Sequence, residues 1–129
     1  MTDCGFNKEL CMPLTQALEK VIAGLADHGF GVLMKIDVRK KFKEKLGIDF
    51  KRYVILGVCN PASAHEAIPT EEDIGLLLPC NVIVYERNGK SVVSAIRPTV
   101  AMQAVHNTDL REVAKAIEVK LKDLIDSVG

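Results

Sequence analysis

The stretch Cys80-Asn81-Val82-Ile83-Val84-Tyr85-Glu86-Arg87-Asn88-Gly89-Lys90-Ser91-Val92-Val93-Ser94-Ala95-Ile96 reads as two β-strands joined at Asn88-Gly89. Both central residues of the favoured two-residue turn need positive φ, which Asn and Gly tolerate, so Asn-Gly between apolar runs is a strong hairpin signal. Such a turn pairs Arg87 with Lys90, and then Glu86 with Ser91, Val84 with Val93, Val82 with Ala95 and Cys80 with Arg97. Val82, Val84, Val93 and Ala95 then share one face, the one expected to carry helices. Cys80 falls on that face at the rim of the sheet.

Working outward, Arg52 to Val58 is a strand apolar on both faces, and therefore an interior one. Gly31 to Val38 is another, with Val32, Met34, Ile36 and Val38 expected on one face. Cys4 to Leu10 alternates weakly and suits a first edge strand. A helix is expected from Pro13, with Leu14, Ala17, Leu18, Val21, Ile22 and Leu25 at helical spacing and Gly29 as its C-terminal cap. A second long helix runs from about Asp109 to Val128, with an apolar stripe through Leu110, Val113, Ala114, Ile117, Leu121, Leu124, Ile125 and Val128. On its charged face Glu118 and Lys122 are spaced to pair. Short helices are expected from Arg39 to Leu46, stopped by Gly47, and from Pro61 to Ala67, ended by Pro69. Thr70 to Asp73 makes an acidic connection. These elements predict an α+β two-layer sandwich: a single domain over 1–129, its antiparallel sheet of about five strands covered on one face by two long helices.

Seventeen Lys and Arg balance seventeen Asp and Glu among 129 residues, leaving no net charge to draw the chain to nucleic acid or an anionic membrane. The longest apolar runs, such as Ile74 to Leu78, are far shorter than the ~20 residues of a membrane span. Met1 to Glu9 lacks the apolar stretch of a secretory signal. A soluble, cytoplasmic protein is expected, and its cysteines at 4, 11, 59 and 80, with no Cys-x-x-Cys, are expected as free thiols.

Two Cys-Asn pairs stand out, Cys59-Asn60 at the end of one strand and Cys80-Asn81 at the start of the next. Antiparallel neighbours bring such ends together. Arg97 opposite Cys80 would favour a thiolate. In the alternative, Cys80 is a small buried apolar residue and Arg97 turns away beyond the strand end. Cys59, His65 and Cys80 together would suit a soft metal, but Cys-x5-His fits no zinc-knuckle spacing, and neither metal nor cofactor is expected. His28 and His106 need no special role. The basic run Arg39, Lys40, Lys41, Lys43, Lys45, Lys51 and Arg52 lacks interleaved aromatic platforms and reads as a solvated face.

Gly29-Phe30-Gly31-Val32-Leu33, Ile36-Asp37-Val38, Leu46-Gly47-Ile48-Asp49-Phe50, Ile55-Leu56-Gly57-Val58-Cys59-Asn60-Pro61 and Gly75-Leu76-Leu77-Leu78-Pro79-Cys80-Asn81-Val82 closely resemble the family numbered 302 among domains of unknown function. The resemblance runs from about Gly5 to the C-terminus. It implies a fold like the TATA-binding-protein class, with long helices on a curved antiparallel sheet, and a small bacterial or archaeal protein, often dimeric, without established activity. Lys35 and Arg97 depart from the pattern, which commonly has acidic residues there; Arg97 would repel a cation held beside the cysteines. The fold likeness alone is no warrant for DNA binding.

The expectation is therefore a non-enzymatic homodimer that binds a small ligand near Cys59, Asn60, His65, Cys80, Asn81 and Arg97, with no nucleic-acid or membrane partner. The contrasting class is a thiol-dependent enzyme or a redox or metal-binding protein using Cys59, His65 and Cys80.

Overall fold

The computed structural model describes residues 3–129. The Asn88-Gly89 turn forms as expected, with φ of 51° and 75°, and joins β4 (Cys80–Arg87) to β5 (Lys90–Ile96). The register from Arg87–Lys90 to Val82–Ala95 is the one derived from the turn. β3 (Tyr53–Cys59) lies beside β4, β2 (Gly31–Asp37) beside β3, and β1 (Gly5–Leu10) beside β5. The result is a five-stranded antiparallel sheet in the order β1-β5-β4-β3-β2, with β3 interior.

One face is covered by α1 (Leu14–Asp27) and α5 (Thr108–Ser127). Val54, Leu56, Val58, Val82, Val84, Val93 and Ala95 meet Leu14, Ala17, Leu18, Val21, Leu25, Ile117, Leu121, Leu124 and Ile125 in one buried cluster. The helices fold as they do because their apolar residues recur on one stripe, and burying that stripe against the sheet is their main support. The architecture is the expected α+β two-layer sandwich.

The short elements are α2 (Val38–Leu46), α3 (Pro61–Thr70), a 3₁₀ helix (Glu72–Leu77) and α4 (Pro98–Ala101). Asp37 caps α2 by accepting from Lys40 N at 3.0 Å, and Gly47 closes it with φ of 66°. A smaller cluster of Ala67, Ile74, Met102, Leu110 and Ala114 ties α3, the 3₁₀ helix and α4 to the first half of α5.

Several expectations need correction. A register shift between Val32 and Met34 makes Leu33 an extra residue in β2. Val32 lies opposite Val58, on the helix-covered side, whereas Met34 and Ile36 lie opposite Gly57 and Ile55, on the other. Val32, Met34 and Ile36 therefore do not share a face, and Val38 belongs to α2. In α1, Pro13 is the N-cap rather than the first helical residue, and Ile22 faces solvent. α3 does not end before Pro69: Thr70 Oγ1 donates to Glu66 O at 3.0 Å and Glu71 N to Ala67 O at 3.1 Å, carrying the helix past the proline. The acidic connection leads into the 3₁₀ helix. Lys122 pairs with Asp126 at 2.9 Å, and Glu118 is engaged elsewhere.

Candidate functional site

The sheet face opposite α1 and α5 is not bare at every point. Where β3 ends and β4 begins, the chain leaves the 3₁₀ helix and crosses Leu78-Pro79, whose peptide bond is cis, to enter β4. α4 follows directly on β5 at the same end. Together these segments overhang the sheet and form a half-open cavity of about 440 Å³. Its floor is Met34, Ile36, Ile55, Gly57 and Asn81, positions that alternate with the core-facing residues of β2, β3 and β4. Its roof is Leu76, Leu77, Leu78, Pro79, Pro98, Ala101 and Met102, and Ile96 and Cys80 complete the wall.

Gly57 is essential to this shape. A Cβ there would lie 2.9 Å from Pro79 Cγ, closer than real Cβ contacts come, and 3.1 Å from Met34 Cε, tighter than most of them. A glycine inside an otherwise apolar interior strand is a sequence signal for such a close approach.

Glu118 anchors the roof. Its Oε1 accepts from Thr99 N at 3.1 Å and from Thr99 Oγ1 at 2.6 Å, holding the first turn of α4 against α5. Arg97 Nε lies 3.8 Å from Glu118 Oε2. Arg97 also donates from Nη1 to Asp3 O at 3.1 Å, and its guanidinium lies 5.6 Å from the Phe6 ring centre. Its Nε is buried with no hydrogen-bond partner among the described residues.

This geometry corrects the expected Cys80–Arg97 pair. β5 stops at Ile96, the ladder reaches only Val82–Ala95, and Arg97 becomes the N-cap of α4 turned toward β1. Cys80 instead lies opposite Val58 and packs against the main core. Burial, with a smaller contribution from nearby Cys59, pushes its thiol up to about 11, so it is protonated at neutral pH. Cys80 is thus a partly buried, uncharged thiol between the core and the cavity, while Arg97 packs toward Phe6 and Glu118 rather than turning outward.

Among the expected site residues, Cys80 and Asn81 line the cavity. Cys59 ends β3 beside them. Asn60 is the N-cap of α3, its Oδ1 accepting from Ser63 N at 3.1 Å, which is a structural use of the amide. His65 is exposed on α3. Among the described residues, no three His, Cys, Asp or Glu side chains gather as metal ligands would. The run on α2 is exposed, with Lys40 and Lys41 facing Glu44 and Lys43 bonding Asp49 at 3.2 Å. Among the described residues, no helix is long and apolar enough to cross a membrane. Sequence reasoning missed the floor residues Met34, Ile36, Ile55 and Gly57 and the roof from the 3₁₀ helix and α4, which no local pattern places over β3.

A family model described as Domain of unknown function DUF302 matches residues 6–128. The chain is also similar to the crystal structure of an uncharacterized conserved DUF302 protein from Bacillus stearothermophilus. The TM-score is 0.91 at 30% identity, covering 99% of this chain and 100% of the other. No curated protein matches the chain.

Proposed function

The chain belongs to the DUF302 family, and from that premise we propose that it is a non-enzymatic, homodimeric module that holds a small ligand in the cavity beside Cys80 and Asn81. The observation that carries this reading is the cavity itself. At about 440 Å³ it falls within the ~300–1,000 Å³ range of small-molecule sites, and it is mostly apolar with one converging amide. The thiol-dependent alternative finds less support, because a thiol raised to about 11 is a poor nucleophile. Four cysteines with no disulfide between them suit a reducing compartment such as the cytoplasm. Native mass spectrometry of the freshly purified protein tests the ligand reading. A reproducible mass increment that disappears on unfolding supports it, and thiol-dependent turnover would favour the enzyme.

The contact proposed for the dimer is the free edge of β2. This edge strand is exposed throughout and carries Val32, Leu33, Met34 and Ile36, all exposed apolar residues. An unpaired apolar edge is a template for another strand. The opposite edge, β1, is blunted by Lys8 and Glu9, the latter bridged to Arg87 and Lys90 at 3.2 Å each. Two-fold antiparallel pairing must set residues of like face opposite each other. Pairing centred on Met34 fails, because the bulge at Leu33 puts Val32 and Ile36 on different faces. Centring on Lys35 or Asp37 sets like charges together. Centring on Ile36 sets Lys35 opposite Asp37 of the second copy, twice, and leaves Asp37 Oδ1 free to keep its cap. Sedimentation at increasing concentration tests this: a Lys35→Glu change should weaken the dimer and adding Asp37→Lys should restore it. A wild-type chain that stays monomeric at high concentration removes the dimer from the proposal.

A further inference from the structure

Resting on the reading of the cavity as a ligand site, we infer that its occupant is a neutral, predominantly apolar small molecule bearing one carbonyl, amide or hydroxyl group that bonds the Asn81 side chain. The lining contains no carboxylate, ammonium, guanidinium or imidazole group. Cys80 is its one ionisable side chain, and that thiol is uncharged at neutral pH. Of the two cations next in sequence to lining residues, Lys35 lies opposite core-facing Leu56 on the other side of the sheet, Arg97 is turned toward Asp3, Phe6 and Glu118, and neither forms part of the wall. A charged ligand entering this space would shed hydration and find no opposite charge to replace it. An apolar ligand meets Met34, Ile36, Ile55, Leu78, Ile96 and Met102 instead. The two methionines are flexible and polarisable, so the walls can adapt to an irregular apolar shape.

Asn81 supplies the polar anchor. Its backbone is held in the ladder opposite Gly57, over which Pro79 and Met34 close. No described group bonds its side-chain amide, which therefore has two donors and an acceptor to offer. Sites of this kind discriminate by one or two placed polar groups on an apolar surface. A ligand that reaches Asn81 gains orientation as well as affinity, while one that lacks the matching group is held by its apolar surface alone.

The test uses two probes of nearly equal size, 1-naphthaleneacetamide and 1-naphthaleneacetate, with 1-methylnaphthalene as the apolar reference. Binding is followed at pH 7 by the ¹³C methyl resonances of Met34 and Met102. The acetamide is expected to shift both methyls and to bind at least tenfold more tightly than the acetate. Asn81→Leu, an exposed strand position, should leave the methylnaphthalene affinity intact and abolish the advantage of the acetamide over it. Equal or tighter binding of the acetate overturns the ligand class while leaving the cavity as a ligand site. Retention of the acetamide advantage in Asn81→Leu overturns the role of Asn81. If no probe moves either methionine and native mass spectrometry finds no bound molecule, the ligand-site reading itself falls.

Discussion

Replacing Gly57 with alanine probes the cavity floor directly. The new Cβ would lie 2.9 Å from Pro79 Cγ, on a ring whose position is fixed by the chain on both sides, and 3.1 Å from Met34 Cε. The methionine end can swing aside at small cost, but the proline cannot move without shifting Leu78 or Cys80. Overpacking of this kind costs about 1–3 kcal/mol. For a chain of this size each kcal/mol corresponds to roughly 3–6 °C in the melting temperature. The methyl group also occupies floor space below the roof, so affinity for a neutral probe such as 1-naphthaleneacetamide should fall together with stability. Gly75→Ala is the internal control, because nothing lies within 4 Å of its added Cβ. That change should be neutral or stabilise by about 0.4–1 kcal/mol through the unfolded chain. Differential scanning calorimetry and probe titration on both variants decide the matter. If Gly57→Ala melts with the wild type and binds probe equally well, Pro79 does not close over Gly57 and the cavity as described is wrong.

Other outcomes can be checked with the same instruments. Glu118→Ala removes the acceptor of two Thr99 bonds and the carboxylate facing buried Arg97 Nε, so it should cost about 2–3 kcal/mol, with Glu118→Gln recovering part of that. Leu56→Ala, at a position with no exposed surface, should cost about 2–5 kcal/mol by denaturant unfolding. Cys80, partly buried and with its thiol raised, should alkylate more slowly at pH 8 than exposed Cys4 and Cys11; peptide mapping that shows Cys80 labelled first would refute the raised-thiol assignment. Because the folded thiol sits near 11 and the unfolded one near 9, the native state keeps a proton that the unfolded chain loses. Cys80 therefore contributes nothing pH-dependent below about 9, and stability falls by about 2 kcal/mol between pH 9 and 11, a decline that Cys80→Ala should lessen.

The hairpin at Asn88-Gly89 was legible because the turn dictates register by backbone conformation alone, and each pair from Arg87–Lys90 to Val82–Ala95 then follows. The long helices were legible because a stripe such as Leu110, Ala114, Ile117, Leu121 and Leu124 has no other way to be buried. Leu33 shows the limit. One inserted residue reverses every later side chain of β2, and nothing in Gly31-Val32-Leu33-Met34 marks which residue is extra. Glu118 shows another. Local spacing offers Lys122, but packing of α4 on α5 presents Thr99 and Arg97, and two short hydrogen bonds outweigh an exposed ion pair worth about 0.3–0.5 kcal/mol. The candidate site was legible only in part for the same reason: Cys80 and Asn81 mark one end of it in sequence, whereas the rest of its floor and its roof depend on where distant segments come to rest.

Of the five described strands, the edge strand β1 is made first and paired last. Gly5 pairs with Ile96 and Leu10 with Ser91, so β1, which is made before the other four described strands, finds its described neighbour only after the other three strands have been made. At ~5–20 residues per second that interval is roughly 5–20 s, far longer than the microseconds a hairpin such as β4–β5 needs once both strands are present. During synthesis the apolar face of β1, with Phe6 and Leu10, must wait in company other than its final one. The β4–β5 hairpin is then the natural seed onto which β1 docks. Ribosome-bound chains arrested before residue 91 should leave β1 open to protease, and chains extended well past Ile96 should protect it.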